Sequence, residues 1–486
     1  MWDGQLFMGG GLHELAALDA QSMAAAEFYK SLSAGSATDH AALTGGQAMA
    51  RESLEASILS IEQRMKHFVF WNRVPKGNAT AVVDEWTSES NVGGWLGSTA
   101  NTELGSILEN VGQYDRHVAK VKFLMDRRGV GGIAEIQAAN GLGSLISKET
   151  DKGSRKLLTD ADYLCWYGNA TCNPAEFDGF VTTMEALGGA NVKDLRGASV
   201  SADGEEFADA ASIAWSQENW GMLTDYFCSP KVQKDISQKL KPHLRIMNDN
   251  NAHSVAFGAT VRAINVDFTP EGSGIRANAD PFIIEGPPPF VVRGGNFASQ
   301  LSTSGTSVVT SIAGVAGADA SSQFTSAHAG DYYYAVEASR KEGHSALVKS
   351  AQVTVTAGDR VVVTITPPAG NNATEYWIYR GSKDGTNADN DFRFMTRVAA
   401  NGDSAVVYND ANQNIPGTSF IACQTILEDA ITFMRMRDAF RFPLFPTDKF
   451  MHLWAQIMLG YLRIGKPQQH VLIKNVLPAN ATWQPF

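Results

Sequence analysis

At 486 residues the chain is too long for one ordinary hydrophobic core, so two or three domains are expected. Its 44% hydrophobic content marks a globular protein. It has no apolar run of about 18 residues, so no membrane span is expected. A net charge of −11 argues against a protein whose task is to grip nucleic acid, which needs a basic surface to displace counterions.

The opening MWDGQLFMGG has no basic flank before an apolar core and is not read as a secretory signal. Residues 1–48 are rich in Ala, Gly and Ser, with a short helical patch at Leu12, Leu15 and Ala16, and read as an arm. Leu54, Ile58, Ile61 and Met65 recur at helical spacing and predict an amphipathic helix over 49–66. Pro75-Lys76-Gly77-Asn78 ends it.

The period then changes. Residues 80–86 are strand-like, and His117, Ala119, Val121, Phe123 and Met125 share one face of a second extended run. A polar, Gly-containing stretch, 88–110, separates the two. The pair predicts a long hairpin projecting from the body. An isolated two-stranded ribbon is marginal, so a neighbouring subunit is the natural support. Val83, Trp86, His117, Val121 and Phe123 are its candidate contact residues.

A long helix is expected over 139–167. Leu157, Ala161, Leu164 and Cys165 lie on one face, and Gly168-Asn169 should stop it through left-handed backbone angles. Its middle is polar all round. Lys148, Glu149, Asp151, Lys152 and Arg155 are read either as a solvated face or as an intersubunit contact. Residues 173–180 read as a turn that sends one aromatic residue into a core.

Residues 203–285 are mixed. Phe207, Ala211 and Ala214 start a helix, 223–227 is a strand, Ser229-Pro230 opens a second helix as N-cap and first residue, and 257–268 carries more strand signal. After Gly286-Pro287-Pro288-Pro289 and a Ser/Gly/Ala/Thr-rich stretch, six short β runs between 331 and 410 have the spacing of an all-β sandwich. Beyond Pro416, 425–434 is apolar-periodic, 440–446 reads as a Pro-stiffened turn, and two extended runs join at Gly465-Lys466-Pro467.

Enzyme chemistry finds no foothold. There is no G-x-S-x-G, H-E-x-x-H or G-x-x-x-x-G-K-[ST] pattern, and Gly129-Val130-Gly131-Gly132 fits a turn at the hairpin base better than a phosphate cradle. Cys165, Cys172, Cys228 and Cys423 match no zinc spacing and read as reduced thiols. The N-A-T triplets at Asn78, Asn169, Asn372 and Asn480 read as ordinary turns. His67, His117 and His470 read as structural, and Asp384-Gly385 with Asp389-Asn390-Asp391 as a turn rather than a calcium loop. No enzyme activity, metal or cofactor is expected.

Taken in order, an arm, a hairpin (79–129), a long helix (139–167) whose end and following turn read LLTDADYLCWYGNATCNPAEFDGF, the strand-to-helix element Asp225-Tyr226-Phe227-Cys228-Ser229-Pro230-Lys231 and a closing strand pair near Pro467 resemble the major capsid proteins of tailed bacteriophages. That resemblance covers roughly 50–286 and 417–486. Tyr332-Tyr333-Tyr334, Gly343-His344-Ser345 and 375–380 resemble a fibronectin or immunoglobulin-like module.

The resemblance implies an α+β Hong Kong-97-type capsid fold with an N-arm, an E-loop hairpin, a spine helix, axial and peripheral domains, and an inserted immunoglobulin-like sandwich. The divisions implied are 1–78 arm and helix, 79–129 hairpin, 130–202 spine helix and peripheral domain, 203–286 axial domain, 287–418 insert, and 419–486 axial return and peripheral close. It implies self-assembly as hexamers and pentamers into a virion shell. Other implied partners are packaged DNA, contacted weakly and non-specifically, and separate scaffolding, portal and decoration proteins. No membrane is involved, and assembly would occur in the host cytoplasm. No Glu with a Lys/Asn pair can be placed for the crosslink that some such phages use. The alternative is an adhesive or carbohydrate-binding protein acting through the sandwich, with Tyr332-Tyr333-Tyr334, Trp377 and Tyr379 as a sugar platform.

Overall fold

A computed structural model describes residues 65–139, 144–217, 219–240, 263–264, 274–293, 306–445 and 449–486. The expected arm, all but the end of the 49–66 helix, and most of the 257–268 strand lie outside the described residues. The chain divides into two compact units, 1–61 with 133–145 and 62–132 with 146–486. In the first, the carboxylate of Glu135, on the helix Gly132–Ala139, accepts bonds from the Ser144 hydroxyl (2.8 Å) and the Leu145 amide (2.9 Å). The rest of the description concerns the second unit, which is mixed α and β.

A four-stranded sheet runs Lys76–Asn78, Ile431–Leu444, Met451–Ile464 and Lys122–Gly131, with the first pair parallel and the others antiparallel. The long helix, Leu145–Tyr167, packs against it. Leu157 and Ala161 meet Met458, and Gly153 sits so close to Gln456 that a Cβ there would come within 2.3 Å of its Oε1. The helix face expected from spacing, Leu157, Ala161, Leu164 and Cys165, is buried.

A six-stranded sheet has the order Val192–Asp194, Val471–Val476, Ser419–Gln424, Asp225–Cys228, Ile275–Ala279, Ala263–Ile264. Its middle strands are buried on both faces, and the period of two assigns each side chain to a core. Tyr226, Cys228, Ile421, Cys423, Val471 and Ile473 pack with Phe207, Ala211, Ala214, Val232 and Ile236 from the helices Glu205–Ala214 and Pro230–Leu240. Phe227, Phe420, Ala422 and Leu472 point the other way, to Trp166 and Phe180. Ser229 caps the second helix as expected, its Oγ accepting from the Val232 amide at 3.3 Å.

Between 306 and 412 two sheets enclose a separate core. One contains Ser311–Ala318, Asp359–Thr366 and Val406–Asp410; the other contains Tyr334–Arg340, Glu375–Arg380 and Arg393–Ala399. Within it Arg380 and Asp410, both fully buried, pair at 2.7 Å. The Arg380 guanidinium also donates to Asn412, and the Tyr334 hydroxyl donates to Asp410, so the desolvated charges are hydrogen-bonded. Tyr332, Tyr334, Trp377 and Tyr379 are buried here, so these four rings offer no sugar platform. The strand Ser311–Ala318, SIAGVAGA, was not anticipated: Gly and Ala give it little strand propensity, and its pairing with Asp359–Thr366 supplies what propensity lacks.

Several local expectations are corrected. The run 117–125 is two strands of different sheets, broken at Val121. Gly129–Gly131 end a strand and Gly132 begins a helix, so that cluster is no hairpin base. Residues 440–444 are strand, Pro443 pairing in register with Trp454. The runs flanking Gly465-Lys466-Pro467 belong to different sheets. The long helix starts at Leu145 and stops at Tyr167, but neither Gly168 nor Asn169 has a positive φ. Gly168 is instead needed for close approach: a Cβ there would lie 2.2 Å from the Phe177 carbonyl oxygen and 2.6 Å from that of Leu164. The following turn buries two aromatic residues, Phe177 and Phe180, rather than one.

One buried polar cluster lies where the long helix meets both sheets. Asp162 is fully buried, with Asp280 and Lys76 as charged neighbours. Burial, reinforced by Asp280 and opposed by Lys76, pushes its carboxyl from 3.8 up to about 8. Burial also raises Asp280 to about 6, although it accepts from the Trp166 indole at 3.1 Å and the Phe282 amide at 2.8 Å.

Two expectations follow from these contacts. Gly168→Ala forces backbone against backbone and should cost about 2–4 kcal/mol, measured by chemical denaturation. A carboxyl whose folded pKa is raised stabilises the fold below its unfolded pKa and loses that contribution as pH climbs through the folded value. Stability should therefore fall between about pH 4 and 8. Asp162→Asn should flatten that fall and gain roughly 1–3 kcal/mol at pH 8 in the same assay.

Candidate assembly surface

The hairpin pairs Val83–Asn91 with Gln113–Lys120 in antiparallel register, Trp86 opposite His117, with a bulge between Glu89 and Asn91. Its base is fastened to the body by aromatic and polar contacts. Trp86 stacks on His117 (5.5 Å, 24°) and on Tyr461 (6.4 Å, 28°), and the Arg463 guanidinium lies 5.9 Å from its ring. The Tyr461 hydroxyl donates to Asp84 at 2.5 Å, and the Lys122 ammonium donates to the Pro174 carbonyl at 2.6 Å. Beside this base is a cleft of about 410 Å³ whose walls include Trp86, His117, Lys120, Phe177, Tyr461 and Pro467.

The loop 92–112 carries the distinctive chemistry. Its backbone folds on itself through bonds such as Ser98 N–H to Trp95 O (2.8 Å) and Gly105 N–H to Thr102 O (3.0 Å). Gly93, at φ +94°, lies so near Val111 that a Cβ would be 2.5 Å from its carbonyl oxygen. The large side chains face outward: Trp95 is 70% exposed, Leu104 97% and Ile107 91%, with Val92, Leu96, Leu108 and Val111 also exposed. Residues 88–112 contain three glutamates, Glu89, Glu103 and Glu109, and no lysine or arginine. Each such apolar side chain gains about 1.5–3 kcal/mol when it leaves water. A clustered exposed patch of this kind marks an interaction surface.

The sequence-predicted contact residues do not form one surface. Val83 is 44% exposed, His117 is exposed and Trp86 is half-buried on the body. Val121 is buried within this chain's own core, because the strand breaks there and its side chain turns inward, so it offers no contact to another copy. Phe123 is exposed, but it belongs to the next strand, in the four-stranded sheet. The apolar tip was missed because Trp95-Leu96, Leu104 and Ile107-Leu108 are scattered among Gly, Ser and Asn, with no period to reveal them.

The long-helix residues also divide. The Glu149 carboxylate accepts from Lys152 at 3.0 Å and from Arg128 at 3.3 Å, and Arg128 pairs with Asp126 at 2.6 Å. Asp151 and Lys152 are exposed, while Lys148, Glu149 and Arg155 are half-buried. Glu149 and Lys152 thus take part in an intrachain network that ties the helix to the sheet. The four cysteines are all free and buried. His470 is fully buried; its Nδ1 accepts from the Thr425 amide at 3.2 Å, and burial lowers its pKa to about 4. Asp384 accepts from the amide of Asp331, a residue distant in sequence, at 2.9 Å, and Asp391 accepts from the Ser382 hydroxyl at 2.7 Å.

No family model matches the sequence, and no curated protein does. Among solved structures the chain is similar to the capsid of a native GTA particle, at 9% identity and TM-score 0.43, covering 90% of this chain and 99% of that one. It is similar to a chain of Gordonia phage Cozz at 8% identity and TM-score 0.42, covering 90% and 98%. It is also similar to the SrpI encapsulin of Synechococcus elongatus PCC 7942 at 6% identity and TM-score 0.39, covering 93% and 100%.

Trp86→Ala removes the ring between Tyr461 and His117. Hydrogen exchange at amides 84–88 and 114–119 should quicken, reflecting a local loss of about 1–3 kcal/mol, while the six-stranded sheet is unaffected.

Proposed function

We propose that the chain is a shell subunit, the major capsid protein of a tailed phage. Many copies would associate as hexamers and pentamers around packaged double-stranded DNA. The observation that carries this is the hairpin itself. Its base is locked to the body, while its tip presents Trp95, Leu96, Leu104, Ile107 and Leu108 exposed, with no cover from the described residues. A monomer gains nothing from such a tip; a symmetric array repeats one contact many times, so each interface can be modest. The ordered set of hairpin, long helix on a long-stranded sheet, separate six-stranded sheet and sandwich supports the same assignment.

The function is structural, with no catalytic step. The sandwich is assigned to the outer surface and the chain to the virion, after assembly in the host cytoplasm. The net charge of −11 supports weak, non-specific contact with DNA. Scaffolding, portal and decoration proteins are separate partners in this proposal. In this proposal the principal contact is the hairpin tip, with Val83, Trp86 and His117 at the hairpin base.

Leu104→Asp with Ile107→Asp places charge where apolar burial is required. Negative-stain electron microscopy of the protein, expressed alone and with a scaffold gene, should show rings or closed shells for the parent. The variant should give only folded monomers, a loss of about 3–6 kcal/mol per contact. A parent that stays monomeric under both conditions overturns the proposal.

A further inference from the structure

The two peptides joining the sandwich to the body run side by side. The Gly286 amide donates to the Thr418 carbonyl at 3.0 Å, and a Cβ on Gly286 would lie 2.5 Å from the Gly417 nitrogen. Gly417 has φ +75° and sits beneath the indole of Trp483, where a Cβ would be 2.4 Å from the ring. The neck thus has a glycine in each of its chains and a tryptophan lying on it. No side chain at either glycine resists rotation there.

Trp483 follows the last strand, Val471–Val476, of the body's six-stranded sheet. Its Nε1 donates to the backbone carbonyl of Asp391 (2.9 Å) and to that residue's Oδ1 (3.2 Å), both on the sandwich. The Arg393 guanidinium lies 5.1 Å over the same ring. Further along, the Pro485 carbonyl accepts from the Lys383 amide at 3.0 Å, and Phe486 stacks on His328 at 4.0 Å and 26°. On the body side, Phe486 comes within 3.2 Å of where a Cβ on Gly197 would be.

We infer that residues 478–486 form a strap across the glycine neck, fixing the orientation of the sandwich on the body. The segment is anchored at one end by a sheet strand and touches the sandwich at His328, Lys383, Asp391 and Arg393. A second fastening is of a different kind. The Arg397 side chain, 7% exposed, pairs with Glu176 (3.1 Å) and Glu375 (3.3 Å), so its charge is largely shielded from solvent. The strap consists of ring faces and backbone hydrogen bonds near the surface, which open at low cost relative to a core. It is therefore the fastening that can be released without breaking the sandwich.

The test is hydrogen exchange on the full chain and does not depend on whether it forms shells. In Trp483→Ala, amides at 383–393 and 415–418 should exchange about tenfold faster, while Tyr334–Arg340, Glu375–Arg380 and Val471–Val476 keep the parent rates. Trp483→Phe retains a ring over Gly417 without the indole donor and should give a smaller acceleration of the same amides. It carries the test if the alanine variant fails to fold. Unchanged rates at 383–393 overturn the inference. So does uniform acceleration across the sandwich and the sheet, which would mean general destabilisation.

Discussion

The indole of Trp166 is the contact on which the body depends. It sits in the last turn of the long helix and meets Phe70 at 4.3 Å, Phe227 at 5.4 Å, Phe420 at 5.7 Å and Phe180 at 5.9 Å, while its Nε1 donates to Asp280. Those rings come from a short helix, two strands of the six-stranded sheet and the helix after the turn. One side chain therefore sets where the helix that backs the four-stranded sheet ends on the six-stranded one. The close approach of Gly168 and Gly179, amide to carbonyl at 2.8 Å, lets the chain reverse there without moving the ring.

This arrangement explains why the hairpin can be long and bare at its tip. Its strands continue from the body through Val121, whose side chain is part of the core that Trp166 organises, so the ribbon is held at its root rather than by its own pairing. The stacked Trp86 and Tyr461 extend that hold outward. Beyond them the apolar side chains of the loop are exposed, which leaves them free to serve another surface.

The sandwich follows a different logic. Its core is its own, built around the buried Arg380–Asp410 pair, and it meets the body through Arg397, a glycine neck and the segment carrying Trp483 and Phe486. Because Gly286 and Gly417 lie beside each other, the module begins and ends at one place, which is why it interrupts the surrounding sheet without disturbing it. Ser419–Gln424 returns directly to the strand beside Asp225–Cys228.

Sequence alone determined the elements with strong local codes. The helix face from Leu157 to Cys165 and the Ser229-Pro230 cap each state their period or their cap within a dozen residues, as do four of the six β runs between 331 and 410; the runs 332–338 and 346–356 each divide between two strands with different partners. What it left open required distant partners. SIAGVAGA is a strand only because Asp359–Thr366 lies beside it, and the run 117–125 divides at Val121 because two different sheets claim its halves. Residues 440–444 look like a turn and are strand because Met451–Ile464 pairs with them. The candidate site was least legible of all. Exposure of Leu104 or Ile107 is a property of where the fold does not reach, and no period or motif encodes an absence of neighbours. Local spacing carries burial along one element; which elements meet, and which surface remains for another copy, is decided only when the whole chain has packed.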